Sequence, residues 1–136
     1  MTTRLACLTS ALALTAAMPA LAEMTFNRIA VFATPDNMAT GEDRTRPTSA
    51  EIISASPDGN TLIYTDSPLG VIGLIDITDP AAPKPLGNID VGGEPTTAKI
   101  IGPRAFVAVN TSPDYANPSG KLVIVDLATR VLSSYG

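Results

Sequence analysis

Carboxylates are the side chains of this sequence best suited to chemistry, and four of them stand at positions that indicate it. Glu51 lies on a strand that we predict to be innermost in its sheet, where alternate side chains face a central channel and could serve as a general base or bind a hard cation. Asp66 closes the next predicted strand, beside Ser67. With Glu42 and Asp43 of the preceding loop it could form an acidic cluster for calcium. A solvated structural acid also explains each of them, and the spacing does not fix them in one coordination shell.

Missing residue types exclude other chemistries. The 136 residues include no histidine, no tryptophan and one cysteine. Without histidine there is no Ser-His-Asp or Cys-His catalytic set and no His-ligated zinc or haem. The cysteine, Cys7, lies in an amino-terminal segment that we expect to be removed, so the mature chain would have no thiol nucleophile, disulfide or thiolate metal site. Catalysis would then depend on carboxylates, hydroxyls, Lys, Tyr or a bound cation.

Other polar groups have simpler interpretations. Asp58 lies with a glycine in a predicted hairpin turn and lacks the alternating acids of an EF-hand loop. Asp76 and Asp126 recur at equivalent places in two repeats, which favours a structural role at strand ends. Ser67 and Ser112 both precede proline, and neither lies in a Gly-x-Ser-x-Gly nucleophile elbow.

The first 22 residues have the pattern of a secretory signal peptide. Arg4 precedes an apolar run over 5–18, and a small-x-small triplet at 20–22 leads to an expected cleavage between Ala22 and Glu23. We therefore expect a periplasmic or secreted protein with no membrane insertion after cleavage. Loss of Arg4 leaves eight of nine basic residues against thirteen acidic ones, a net charge of −5, which argues against nucleic acid or an anionic lipid surface as a partner.

Short strands must position these groups, because prolines leave few windows long enough for a helix. Runs rich in Val, Ile, Leu and Thr, each bounded by turn residues, continue along the mature chain, which is the all-β pattern. The predicted strands are Phe26–Ala33, Ser49–Ser54, Thr61–Asp66, Val71–Ile77, Leu86–Val91, Thr97–Ile101, Arg104–Asn110, Lys121–Leu127 and Val131–Ser134.

The predicted strands repeat along the chain. Residues 61–68 align with 106–113 at an offset of 45, and residues 72–77 align with 122–127 at an offset of 50. The five extra residues fall in one loop, 114–118. A period of this length with four strands in each unit is typical of a β-propeller blade.

This repeat predicts the domain organisation of an all-β, partial β-propeller. A lone strand, Phe26–Ala33, would lie in an N-terminal strand-and-loop segment at 23–48, followed by a four-stranded blade at 49–95 and a truncated second blade at 96–136. A propeller closes with about four to eight blades, so we expect this sequence to be the amino-terminal part of a longer protein. A small β-sandwich that is complete as written is the alternative, because period-2 patterning does not distinguish the two.

Several motifs resemble known propeller repeats. Ser56-Pro57-Asp58-Gly59 and the stretch from Leu74 to Pro83 are similar to the YncE-like and LVIVD-type repeats of exported bacterial proteins. Four more motifs resemble the amino-terminal part of the family called esterase-like activity of phytase, and the resemblance spans the mature chain. These four are Asn27-Arg28-Ile29-Ala30, Gly41-Glu42-Asp43, Ala50-Glu51-Ile52-Ile53-Ser54 and Asp66-Ser67-Pro68-Leu69-Gly70.

Two functions follow as hypotheses. The resemblance implies a hydrolase of phosphoric or carboxylic esters that works with calcium and carboxylates, most of whose site would lie on blades outside this sequence. The alternative is a non-catalytic propeller scaffold that binds a protein or a surface polymer through its loops. Propellers host both functions, so the fold alone does not choose between them. The lack of a convergent catalytic set in these residues favours an inactive fragment.

Overall fold

Residues 26–136 form two antiparallel four-stranded β-sheets, and one short 3₁₀ turn is the helical element of this part of the chain. The computed structural model describes residues 26–136. The all-β prediction is confirmed, whereas the predicted signal peptide at 1–22 and its cleavage point lie outside the described residues. In residues 26–136, no helix has the length and apolar character needed to cross a membrane.

The first sheet follows the chain as a meander. Its strands β1 (Ala50–Ala55), β2 (Thr61–Asp66), β3 (Val71–Asp76) and β4 (Lys84–Asp90) pair in that order. The turn between β1 and β2 uses Gly59 at a φ of 73°, a left-handed conformation that a residue without a β-carbon adopts at little cost.

The second sheet repeats the same meander. Its strands are β5 (Glu94–Ile101), β6 (Arg104–Asn110), β7 (Gly120–Asp126) and β8 (Leu132–Tyr135), again paired in sequence order. β5 begins three residues before the predicted start at Thr97, because pairing between β5 and β6 continues past a bulge to the start of β5.

The predicted lone strand at Phe26–Ala33 is wrong. Residues 26–33 have no regular secondary structure, and the 3₁₀ turn Thr34–Asn37 follows them. A strand is defined by the hydrogen bonds of a neighbouring strand, and no described strand pairs with this segment. Its apolar side chains are exposed, with Phe26 at 92% and Val31 at 72%. The alternating pattern was present in the sequence, but the pattern does not supply a partner.

One apolar core lies between the two sheets. The first sheet contributes aliphatic residues of β2, β3 and β4, such as Ile63 and Ile89, and the second contributes small and β-branched residues of β5, β6 and β7. A buried hydrogen bond also crosses the interface, since the backbone N–H of Ile100 donates to Ser54 Oγ at 3.1 Å. The second sheet's members are Ala98, Ile100, Ala105, Val107, Val109, Val123 and Val125.

The faces that meet across this core are not equivalent in the repeat. Ile63 and Leu74 are cross-strand partners that face the second sheet, and at the offsets of 45 and 50 they correspond to Ala108 and Ile124. Those two residues point away from the first sheet, because alternate residues of β6 and β7, such as Val107, fill the interface. The second sheet therefore packs on the first head to tail, which means that each sheet uses a different one of its two repeat-equivalent faces at the contact.

The other face of the first sheet is covered by the segment that precedes it. Asn37 is buried there, and its Nδ2 donates to the Tyr64 hydroxyl at 3.0 Å while its Oδ1 accepts from the Gly87 backbone N–H at 2.9 Å. Tyr64 lies over Gly73, its cross-strand partner, in space that a side chain would otherwise fill. Burial raises the pKa of Tyr64, although the Asn37 hydrogen bond opposes this.

Replacement of Gly73 by alanine tests this packing. A β-carbon at Gly73 would overlap Cζ of Tyr64, so Gly73→Ala is expected to lower the free energy of unfolding by about 2 kcal/mol. Urea unfolding followed by circular dichroism measures it. In a Tyr64→Ala background the same change should cost much less, and an equal cost in both backgrounds would contradict the steric explanation.

Candidate functional site

The best candidate surface is the rim where β2, β4 and β6 end and β3, β5 and β7 begin, which we call the strand-end rim. Its position follows from the register, since Ala50 pairs with Asp66 and Glu94 pairs with Asn110 at the corresponding ends of the two sheets. Loops at the ends of strands carry side chains that the sheets hold in place, so this rim is where the candidate residues should meet.

Glu51 lies at the strand-end rim, within hydrogen-bond distance of a serine that also reaches the second sheet. Its carboxylate is exposed, and Ser67 Oγ lies 2.8 Å from Glu51 Oε2 and 3.0 Å from the carbonyl oxygen of Pro95 at the start of β5. The single hydroxyl hydrogen can be donated to either acceptor. Ser67 therefore bonds either to Glu51 or, across to the second sheet, to Pro95, and no described group beside Ser67 completes a catalytic triad.

Asp66 is fully buried and serves the backbone around it. Its carboxylate accepts hydrogen bonds from the Thr48 hydroxyl and from the backbone N–H groups of Ser49 at 3.2 Å and Leu69 at 3.3 Å. These bonds fix the entry to β1 and the turn after β2. A buried carboxylate needs such donors, because without them the charge would be strongly destabilising.

Glu42 and Asp43 stabilise turns of the preceding loop. Glu42 Oε2 accepts from the Ala39 backbone N–H at 2.7 Å, and Asp43 Oδ1 accepts from the Thr45 hydroxyl at 2.6 Å and its backbone N–H at 2.9 Å. The bonds from Thr45 hold the pKa of Asp43 below its usual range.

The structure does not bring the predicted calcium ligands together as one group. Glu42, Asp43 and Asp66 each have separate hydrogen-bond partners, and residues 26–136 contain no cluster of three or more carboxylates placed to hold a metal ion. The use of calcium therefore stays a prediction. The geometry of Asp66 alone is that of a buried structural acid.

Substitution of Asp66 separates these two roles. Asp66→Asn should lower the free energy of unfolding by about 2 kcal/mol, because two backbone N–H groups and a hydroxyl lose a charged acceptor. The loss should be the same with and without calcium chloride in urea unfolding. The control is Asp79→Asn, which changes an exposed acid in a turn. Calcium-dependent stabilisation that Asp66→Asn removes and Asp79→Asn keeps would assign Asp66 to calcium instead.

Three acids with simple predicted roles make local hydrogen bonds. Asp76 accepts from the Thr78 N–H at 2.9 Å, Asp126 accepts from the Thr129 N–H at 2.9 Å, and Asp58 accepts from the Asn60 N–H at 3.1 Å. Hydrogen bonds from the two threonines lower the pKa of Asp76 and of Asp126. The pKa of Asp58 is lowered by the Ser56 hydroxyl first and by Asn60 second. Their geometry agrees with turn-stabilising acids.

Sequence reasoning missed the most prominent feature of the strand-end rim. The loop between β6 and β7 projects Tyr115 fully into solvent, next to an open cavity of about 370 Å³ that Glu94 and Asn110 help to line. Asp114 braces this loop through bonds from Asn117 and Ala116, which lower its pKa. The five-residue insertion was the available signal, since it is where the two repeats differ.

Comparison with known proteins adds information about the fold. No protein-family model matches the chain, and no curated protein does. A solved structure described as Kuenenia stuttgartiensis Hydrazine Synthase is similar, with a TM-score of 0.52 and 21% sequence identity. The similarity covers 63% of this chain and 23% of that one, so this sequence spans less than a quarter of its length.

The sheet topology and the structural similarity define the fold class of the protein. The chain is an all-β protein of two packed antiparallel four-stranded sheets. At 21% identity the likeness concerns the fold alone, and it has no bearing on the YncE-like or phytase-like resemblance. That resemblance, the expected export and the expected ester substrate remain predictions.

Proposed function

We propose that this chain forms two consecutive blades of an exported propeller-type array and acts as a binding scaffold. The head-to-tail packing of the sheets carries the proposal. A contact between non-equivalent faces repeats by rotation, and it closes into a ring when the rotation permits. Each blade then covers one face of its neighbour, as repeat architectures require.

The uncovered face of the second sheet supports the array over the β-sandwich alternative. A sandwich buries one face of each sheet and leaves polar residues outside. Here Phe106 and Ile124 are cross-strand partners on the outer face, and Leu122 pairs there with Tyr135. Leu122 is 39% exposed and Tyr135 is 62% exposed. This apolar strip corresponds in the repeat to the face that the first sheet buries.

The strand-end rim is the binding surface of the proposed scaffold. Repeated residues hold the blades together, whereas the insertion around Tyr115 breaks the repeat at one loop. An aromatic ring held clear of the body offers apolar area and a hydroxyl at little entropic cost to a partner. Glu94, whose Oε2 accepts from Asn110 Nδ2 at 3.0 Å, supplies a fixed charge beside it.

Self-association tests the uncovered face. The chain should associate with rising concentration in sedimentation velocity, and Leu122→Lys should suppress this by placing a charge on the apolar strip. Ala128→Lys, at an exposed turn position, is the matched control and should leave association unchanged. A monomer at all concentrations that unfolds in one cooperative step would support the sandwich and oppose the array.

Ester hydrolysis is the second candidate, and the Glu51–Ser67 hydrogen bond is the observation that favours it. As a scaffold, the chain should hydrolyse p-nitrophenyl phosphate and p-nitrophenyl acetate no faster than buffer, with or without calcium. Glu51→Gln should then change nothing. Turnover that Glu51→Gln abolishes and Glu94→Gln retains would overturn the scaffold proposal and assign Glu51 as the base.

A further inference from the structure

A second cavity lies away from the strand-end rim. It is an open cavity of about 420 Å³, bordered by the segment before β1, the middle of β4 and the turn between β7 and β8. Both sheets and the covering segment thus contribute to it. Its charged and polar lining residues are Asp36, Asn37, Thr40, Glu42, Asn88 and Arg130.

Asn88 supplies an unused hydrogen-bonding group to this cavity. Its Oδ1 is buried and has no hydrogen-bond partner among the described residues, the one side-chain atom there of which this is true. Buried polar groups are nearly always paired, because an unpaired one loses its bond to water without compensation. Oδ1 has no bond among the described residues that a rotation about χ2 would break, so the rotation would turn it toward a donor in the cavity.

Arg130 supplies a cation to the cavity, and its backbone conformation is strained. Its φ of 61° makes it the one non-glycine residue with a left-handed conformation among residues 26–136. The turn requires such a residue, since the Arg130 N–H donates to the Asp126 carbonyl at 2.8 Å, but glycine or asparagine would adopt it with less strain. Backbone strain of this kind is found most often at functional sites.

The guanidinium of Arg130 reaches across to the first sheet, and it has no ionic partner among the described residues. Its Nη1 lies 3.7 Å from the point where a β-carbon of Gly87 would stand. The ion pair among the described residues is between Arg44 and Asp36, at 3.3 Å, and it does not involve Arg130. The cavity therefore combines a free cation with an unpaired acceptor and the carboxylates of Asp36 and Glu42.

We propose that this cavity binds a small zwitterion of the α-amino-acid type. The ligand carboxylate would pair with the Arg130 guanidinium, which suits a planar oxyanion. Its ammonium group would donate to Asn88 Oδ1, in a cavity that the Glu42 carboxylate also lines. Two carboxylates in the lining disfavour a doubly charged anion such as a phosphate. A volume of about 420 Å³ lies within the range of small-molecule sites.

Thermal unfolding with free ligands tests the proposal. The purified chain is melted with each of the standard L-amino acids at millimolar concentration, and at least one should raise Tm. The best one is then compared with the amine that lacks its carboxylate and the acid that lacks its ammonium group. Both half-molecules should shift Tm far less. An equal shift with the acid alone would reduce the site to an anion site, and no shift with any amino acid would overturn the proposal.

Two variants separate ligand binding from a structural role. Asn88→Leu should raise Tm of the free protein by a few degrees, because an unpaired buried acceptor is removed, and should abolish the ligand-dependent rise. Arg130→Asn keeps a side chain that tolerates the left-handed conformation and should weaken binding about tenfold or more in calorimetric titration. Lys99→Gln, an exposed charge on β5, is the control and should leave binding unchanged. Unaltered affinity in both Asn88→Leu and Arg130→Asn would place any binding elsewhere.

Discussion

Burial of apolar area between the two sheets is the constraint on which the rest of this structure depends. A single four-stranded sheet of this size cannot bury enough area to hold itself folded, so each sheet stabilises the other. The contact uses small residues at Ala98 and Ala105 to let the sheets approach, and branched residues elsewhere to fill the space. Its head-to-tail sense gives the molecule a direction, with different surfaces at its two ends.

The aspartates of this protein mainly accept hydrogen bonds from the backbone, and no catalytic role is visible for them among the described residues. The Asp66 carboxylate accepts hydrogen bonds from the segments just before β1 and just after β2. Asp43, Asp76 and Asp126 accept hydrogen bonds from residues two or three positions further along the chain. Such bonds replace the strand ladder where it ends, and they explain why a chain rich in aspartate shows no convergent carboxylate set within residues 26–136. The groups free for a ligand are fewer, and they lie at Tyr115 and beside Arg130.

The strands were predictable because residues close in sequence determine where each strand begins and ends. Turn residues such as Gly59 fix where a strand ends, and period-2 runs fix where it lies, so the paired strands match their predicted bounds within a few residues. The segment at 26–33 failed because strand formation also needs a partner, which is not a local property. The burial of Asp66 and the cavity beside Asn88 depend on residues far apart in sequence. Asn37 is hydrogen-bonded to Gly87, 50 positions away, and no local sequence motif indicates a contact over that separation.

The contact between Tyr64 and Gly73 also determines how the molecule can be observed. The chain contains no tryptophan and three tyrosines, so its intrinsic fluorescence comes from tyrosine. Tyr115 and Tyr135 are exposed and would emit much as they do in an unfolded chain, whereas Tyr64 is 1% exposed and its hydroxyl is held by Asn37. Any change in emission on unfolding would therefore report mainly on the first sheet and its covering segment. The second sheet has no buried tyrosine and would unfold almost unseen by this signal.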